Sequence, residues 1–343
     1  MSGPPTLEDV ARAAGVSRAT VSRVINGIRN VDPAIQEAVR RAIAETGYVP
    51  NQAARSLVTR RTGAVALVVS GAGGGPEEDP FPSRVFADPF FGRVAGGVVG
   101  FLRPLGIHPV LMFAETEEAR RQVVTYLRQG NADGALLVST HGADPLPRLL
   151  AEARLPAVLF ARPAEPLPIS YVDLAHRAGA RLAADHLVAR GCRRVATISG
   201  PLDVPAAQDR LAGFQEAMAV HGHPYVPVAE GGFTLPSGER AMERLLAGHD
   251  GLDGVFAAND VMAQGALAAL RAHGRRVPDD VAVVGFDDSS AATACVPALT
   301  TVRHPVEDMA AEMGRLLLAH LGDPGQPVTS RIFEPSLVVR DSA

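Results

Sequence analysis

Residues 6–27 read TLEDVARAAGVSRATVSRVING, and their spacing predicts two short helices joined by a tight turn. Thr6 can cap the first helix with Asp9 as its reciprocal partner, Gly15 supplies the backbone freedom that the turn needs, and Ser17 can cap the second. Val10, Ala14, Val16, Val21 and Val24 are small or β-branched and face inward, so the helices can cross closely at Ala11 and Gly15. The face left outside carries Arg18, Thr20, Ser22, Arg23 and Asn26. Hydroxyls and an amide suit phosphates and base edges, and Arg23 has the fork that pairs with O6 and N7 of guanine, so the second helix is expected to lie in a DNA major groove. A helical hairpin with a solvated polar face would look the same in isolation; the residues that follow decide between the two.

Asp32 and Pro33 announce a third helix, with Ile35, Ala38, Val39, Ala42 and Ile43 as one apolar stripe and Gly47 as its end. Next come Tyr48-Val49-Pro50-Asn51 and the helix-prone run Gln52-Ala53-Ala54-Arg55-Ser56-Leu57, too short to hold a helix alone in water. The order TLEDVARAAGVS, TVSRVING, GYVPNQAARSL resembles the DNA-binding headpiece and hinge of the LacI/GalR family of bacterial transcription regulators, densely over about residues 6–60 and at a lower level beyond. The resemblance implies a hinge that becomes helical only in a dimer on operator DNA, with Leu57, beside Ala54, opening a base step in the minor groove. Packing of Leu57 against the next domain is the alternative. The candidate DNA contacts are then Thr6, Ser17, Arg18, Ala19, Thr20, Ser22, Arg23, Asn26, Asn30, Asn51, Ala54, Arg55 and Leu57.

Charge supports the division. Residues 1–61 hold nine Arg against five acids, a net of +4, while the whole chain is −4, so the remainder carries −8. The positive end is the one expected to meet phosphate. The chain has no Lys, which excludes a Walker-type phosphate lysine and a Schiff-base lysine; the glycine cluster Gly71 to Gly75 is read as a flexible insertion. Cys192 and Cys295 lack metal spacing and read as reduced, small core residues. No metal and no cofactor is expected. With no run of about 18 apolar residues and no charged-then-apolar leader, the expected location is the bacterial cytoplasm, at the nucleoid when DNA is bound, with no membrane partner.

At 343 residues and 47% apolar content the chain can build more than one core. Apolar runs at Ala64–Val69, Pro109–Phe113, Ala135–Val138 and Ala157–Phe160 alternate with helical stretches such as Phe91–Leu102 and Glu117–Arg128, which is the pattern of a doubly wound parallel sheet. A second series follows: strands at Arg194–Ile198, Val226–Ala229, Gly254–Ala257 and Val281–Gly285, with helices around Ala178–Arg190, Ala207–His221, Ser237–Ala247 and Val261–His273. The expected fold is an all-α helix-turn-helix headpiece followed by an α/β core of two doubly wound parallel-sheet lobes. The resemblance implies that this core is periplasmic-binding-protein-like, with three crossings between lobes. It places a late helix near Pro305–Leu321 in the first lobe and a final strand, Arg331–Val339, in the second. The expected limits are 1–49 for the headpiece, 50–62 for hinge and linker, 63–171 with 303–322 for the first lobe, and 172–302 with 323–343 for the second.

Two such lobes form a cleft at the carboxyl ends of their strands. Asn259, Asp287 and Arg210 come from loops that converge there, and an amide, a carboxylate and a forked donor are what a polyhydroxylated ligand needs. By resemblance these three match effector-contacting positions, Phe233 falls where a stacking ring is common, and Phe90-Phe91 match an aromatic pair of the first lobe. Ala175-His176 departs from the Asp-Asn frequent in the family, Ala161 from an acid, and His304 from a common Gln. Arg162 and Arg210 together leave an anionic or modified carbohydrate open beside a neutral sugar. The effector candidates are Phe90, Phe91, Arg162, Arg210, Phe233, Asn259, Asp287 and His304; Asp260 is expected to cap its helix rather than touch ligand.

Asp287-Asp288 with His141, His221 or His223 would be the ingredients of an enzyme, but adjacent strand-end acids point in different directions and no nucleophile motif accompanies them, so catalysis is not expected. A transport-type sugar-binding protein without a DNA function is the alternative for residues 63–343. The expected function is a repressor of operator DNA controlled by a small ligand, a sugar or sugar derivative. It is expected to act as a homodimer, since no leucine-heptad helix follows the last strand.

Overall fold

A computed structural model of the chain describes residues 5–25, 31–49, 61–71, 80–139 and 141–343. The chain divides into two compact units, Met1–Ala64 with Gly130–Asp133, and Val65–Gln129 with Gly134–Ala343.

The first unit contains helices Leu7–Ala14, Arg18–Ile25 and Pro33–Thr46. Thr6 and Asp9 form the reciprocal cap, and Gly15 leaves the first helix in the left-handed conformation at φ 65°. Asp32 caps the third helix through the N–H of Ala34 at 2.7 Å, and Gly47 ends it at φ 66°. Val10, Ala11, Val21, Val39 and Ala42 form the buried core, with Ala14, Val16, Val24 and Ile43 packed around it. Ile35, expected in the apolar stripe, is exposed, because the third helix meets its neighbours from Val39 onward. The Asp133 carboxylate accepts the backbone N–H of Thr62 at 2.6 Å and of Gly63 at 3.1 Å.

In the second unit, one sheet comprises β1 (Ala64–Ser70), β2 (His108–Ala114), β3 (Ala135–Ser139), β4 (Ala157–Phe160), β5 (Ser170–Leu174) and β11 (Ser330–Phe333), in the order β11-β5-β4-β3-β1-β2. The other comprises β6 (Val195–Ser199), β7 (Val228–Glu230), β8 (Gly254–Ala257), β9 (Ala282–Asp287), β10 (Thr300–Arg303) and β12 (Ser336–Val338), in the order β12-β10-β9-β8-β6-β7. Strands such as β8 and β9 are buried along their whole length, as parallel strands covered on both faces must be. The chain crosses from the first sheet to the second after β5, returns after β10, and crosses again between β11 and β12.

Three details differ from expectation. Residues 172–174, assigned to the second lobe, end β5 in the first sheet, where β5 pairs with β4. The single final strand expected in the second lobe is two strands: Ser330–Phe333 runs parallel to β5, so part of 323–343 belongs with the first lobe, and only Ser336–Val338 joins the second sheet. That last strand is antiparallel to β10, so the second sheet is not wholly parallel. The late helix, Val306–Gly322, does pack in the first lobe, against helix Pro89–Leu102. Gly97 permits this crossing, since an added Cβ would lie 2.5 Å from the Glu307 carbonyl oxygen.

Cys192 and Cys295 are buried. Among the described residues no single helix is long and apolar enough to cross a membrane.

Candidate functional site

The outer face of Arg18–Ile25 is built from its cap outward. Ser17 Oγ accepts the N–H of Thr20 at 3.1 Å and lies 2.9 Å from Thr20 Oγ1, so both hydroxyls fix the start of the helix. Thr6 donates its N–H and its hydroxyl to Asp9 at 2.9 and 2.7 Å. Arg18 pairs with Glu8 at 3.0 Å in an exposed ion pair of the kind that contributes little and is readily exchanged for phosphate. Ala19 and Arg23 are exposed, and Thr20 and Ser22 half-buried. Asn26, Asn30, Asn51, Ala54, Arg55 and Leu57 lie outside the described residues, as does the glycine cluster from residue 72 to 75.

In the second unit a polar cluster forms where the carboxyl ends of the strands meet. Arg210, from helix Pro205–Val220, is buried and donates from Nη1 to the Ala258 carbonyl at 2.5 Å and from Nε to His176 Nδ1 at 3.3 Å. Its Nη2 lies 3.4 Å from Asp287 Oδ1, and its guanidinium carbon stacks 3.8 Å from the Phe286 ring centre. Asp287, at the end of β9 with φ 108°, also accepts from His304 Nδ1 at 3.1 Å. Burial alone would raise the Asp287 carboxyl, but Arg210, His304 and Arg93 hold it below the ordinary carboxylate range. Burial pushes His304 down to about 4, so the pair is a carboxylate and a neutral imidazole. That tautomer leaves His304 Nε2 as an acceptor, and it is buried without a hydrogen-bond partner.

The rings of Phe90 and Phe160 lie 5.8 and 6.0 Å from that of His304. Phe91 meets the Phe90 ring edge-on at 5.2 Å and packs on the cluster of Val69, Phe81 and Val85 inside the first lobe. Asn259 is committed to structure, accepting the N–H of Met262 at 2.8 Å as a helix cap and donating to the Phe233 carbonyl at 3.3 Å. Asp260, expected to be the cap, instead accepts the Thr301 hydroxyl at 2.5 Å and the Ser289 N–H at 2.7 Å. Burial and the Asp287 charge push its carboxyl up to about 7. Arg162 is half-exposed and pairs with Asp209 of the second lobe and with Asp173. Phe233, at φ 59°, folds its ring against Gly200. Ala161, Phe233, Asp287 and Asp288 all have positive φ, so strained backbone clusters at the rim of this site. Asp288 turns away from Asp287 towards Arg303 and Arg340, at 2.9 and 2.6 Å.

Three residues of the cluster were not among the effector candidates read from sequence, His176 having been noted only as a departure from the family pattern. Arg93, on helix Pro89–Leu102, donates to the carbonyl oxygens of Asp287 and His304 and forks onto Glu307. Asp88 caps that helix through the Phe90 N–H at 2.9 Å, and burial raises its carboxyl to about 6. His176 accepts from Arg210, as above. The Asp-Pro step at 88–89 was a readable cap signal; nothing local marks Arg93. Among the described residues no His, Cys, Asp and Glu cluster is placed to hold a metal ion.

Comparison with known proteins finds a family match at each end of the chain. Residues 6–51 match the model of bacterial regulatory proteins of the lacI family, and residues 184–343 match that of the periplasmic binding protein-like domain. The chain is 46% identical over 343 residues to the HTH-type transcriptional regulator CelR of Thermobifida fusca, covering 98% of each protein. It is 34% identical to the ribose operon repressor of Halalkalibacterium halodurans, covering 98% of this chain and 96% of that one. Among solved structures it is similar to the complex of transcriptional regulator CelR with cellobiose, at TM-score 0.76 and 44% identity over 99% of this chain and 100% of that one. It is also similar to the lac repressor dimer bound to operator and the anti-inducer ONPF, at TM-score 0.81 and 28% identity over 99% of each. These relatives are regulators of transcription and not enzymes, and the chain belongs to the LacI family of bacterial transcriptional regulators.

Proposed function

We propose that this regulator represses transcription as a homodimer on a near-palindromic operator and that a saccharide in the cleft sets its hold on DNA. The observation that carries the effector half is the buried Arg210–Asp287–His304 cluster, with an unpartnered acceptor at His304 Nε2. Such a site recognises hydroxyls, because each buried polar group left unpaired weakens a wrong ligand. CelR, solved with cellobiose and 44% identical to this chain, makes a β-linked glucose disaccharide the first effector to test. Phe90, Arg210, Asp287 and His304 are the residues we assign to the effector; Asn259 and Arg162 support the site through the bonds described above, and Phe233 lines its second-lobe wall.

In the headpiece we assign base reading to Arg23, with Ser17, Arg18, Ala19, Thr20 and Ser22 on phosphates and base edges and Thr6 at the first helix start. Asn26, Asn30, Asn51, Ala54, Arg55 and Leu57 complete the proposed contacts by family pattern, with Leu57 as the minor-groove wedge. The proposed place of action is the cytoplasm, where operator DNA lies. Selection of DNA from a random duplex pool by the purified protein, followed by thermal-shift screening with saccharides, tests the reading: one enriched palindrome and a saturable rise in Tm are expected.

A further inference from the structure

The carboxylate of Asp133 clasps the residues that lead from the hinge into β1. Its Oδ1 accepts the N–H of Thr62 at 2.6 Å and the Thr62 hydroxyl at 2.8 Å, and its Oδ2 accepts the N–H of Gly63 at 3.1 Å. Gly63 stands at φ 68°, a left-handed turn that lets two successive N–H groups face one anion. Asp133 also donates its own N–H to the Ala64 carbonyl at 2.8 Å, so its side chain carries the β1–β3 ladder back to Thr62. The clasp is held firmly from behind. Ala132 is buried, and Gly134 fits so closely on helix Val306–Gly322 that an added Cβ would lie 2.8 Å from Leu317 Cδ1 and 2.9 Å from the Pro156 carbonyl oxygen. That helix starts just after His304 of the polar cluster, and its rise from Val306 to Leu317 is about 17 Å. One rigid helix therefore runs from the cleft to the residue beside the clasp.

We propose that Asp133 is the positioning residue through which the state of the cleft reaches the DNA-binding helices, because it fixes the end of the hinge to the first lobe. It stands at the amino end of β3, whereas the polar cluster forms at the carboxyl ends of the strands, so it acts on the coupling and not on the ligand. The inference rests on the ligand-controlled reading above. With the clasp broken, Thr62 and Gly63 join the tether, about 7 Å of added chain, and its slack absorbs a shift of the lobe.

The test uses the full-length protein and the operator selected from the random pool. Operator affinity is measured at fixed salt without and with saturating cellobiose, glucose, galactose or ribose, and calorimetry gives the affinity for each sugar in the absence of DNA. In the wild type at least one sugar is expected to bind and to change operator affinity ten-fold or more. Asp133→Asn keeps the shape but accepts on one side-chain atom only, and Asp133→Ala accepts on none. Both should bind that sugar within two-fold of wild type while the change in operator affinity falls below three-fold. Thr62→Val, which loses only the hydroxyl bonds and serves if neither Asp133 variant folds, should give an intermediate change. A purely structural role would lower Tm and leave the response intact, so a change within two-fold of wild type in the folded variants overturns the proposal. A parallel loss of sugar affinity overturns it too. A wild type whose operator affinity none of the four sugars alters overturns the ligand-controlled reading itself, and the role of Asp133 with it.

Discussion

The Arg93 guanidinium, carried on the first lobe, donates to the carbonyl oxygens of Asp287 at 2.7 Å and His304 at 2.9 Å, so one side chain ties helix Pro89–Leu102 to the ends of β9 and β10. Its remaining bonds go to Glu307, next to Val306 at the start of the returning helix. Arg93 thus fixes the place where the chain passes from one lobe to the other, close to the proposed ligand groups but not among them.

Replacing Arg93 by Ala should lower stability by about 2 kcal/mol, because charge-assisted bonds to two backbone carbonyls are lost together. Arg93→Lys keeps the charge but not the fork and should recover only part of it. Chemical denaturation of the three proteins gives the comparison; an Arg93→Lys variant as stable as wild type would show that charge alone suffices.

His304 should make the protein acid-sensitive. Its folded-state value is depressed from 6.5 to about 4 by burial, so the unfolded chain takes up the proton first. Stability from this group is complete above about pH 6.5 and is lost as pH falls towards 4, by up to about 3 kcal/mol. His304→Gln should flatten that part of the Tm-against-pH curve, and an unchanged slope would assign the acid loss to other groups.

Asp88 has the opposite sign. Its carboxyl is raised from 3.8 to about 6 by burial, so its contribution is complete below about pH 4 and lost as pH rises through 6. Asp88→Asn should gain stability over wild type as pH rises from 4 to 7, reaching about 1–3 kcal/mol. An advantage that does not change with pH would mean that the charge of Asp88 is not what the variant removes.

Replacing Arg23 by Ala should weaken binding to the selected operator by about 1–3 kcal/mol, roughly 5–150-fold, while changing affinity for random duplex little. Fluorescence anisotropy on the two duplexes measures this. Equal losses on both would make Arg23 a phosphate contact.

The headpiece was legible because its signals are local: Thr6 with Asp9, Gly15, Asp32 and Gly47 each act within a few residues, and the structure uses all four as caps or stops. The central strands were legible for a related reason, since buried parallel strands such as Ala157–Phe160 read as unbroken apolar runs. Sheet edges were not. Ser330–Phe333 and Ser336–Val338 are short segments split between two sheets, and their assignment depends on partners more than 30 residues away in sequence. In the cleft, residue types were legible but their tasks were not. Asn259 and Asp260 exchanged the expected capping role because a one-residue difference in where the helix begins decides which side chain reaches the free N–H groups. Phe90 faces His304 while its neighbour Phe91 packs towards Val69, since consecutive residues of a helix point about 100° apart.

The most direct test of ligand-controlled operator binding is the dissociation constant for the selected operator, measured at fixed salt with and without the saccharide that raises Tm. The account predicts a 10–100-fold change on saturation, which needs only about 1.4–2.8 kcal/mol of coupling, and loss of that change in Asp287→Ala. An operator affinity that stays the same when the cleft is saturated would contradict it.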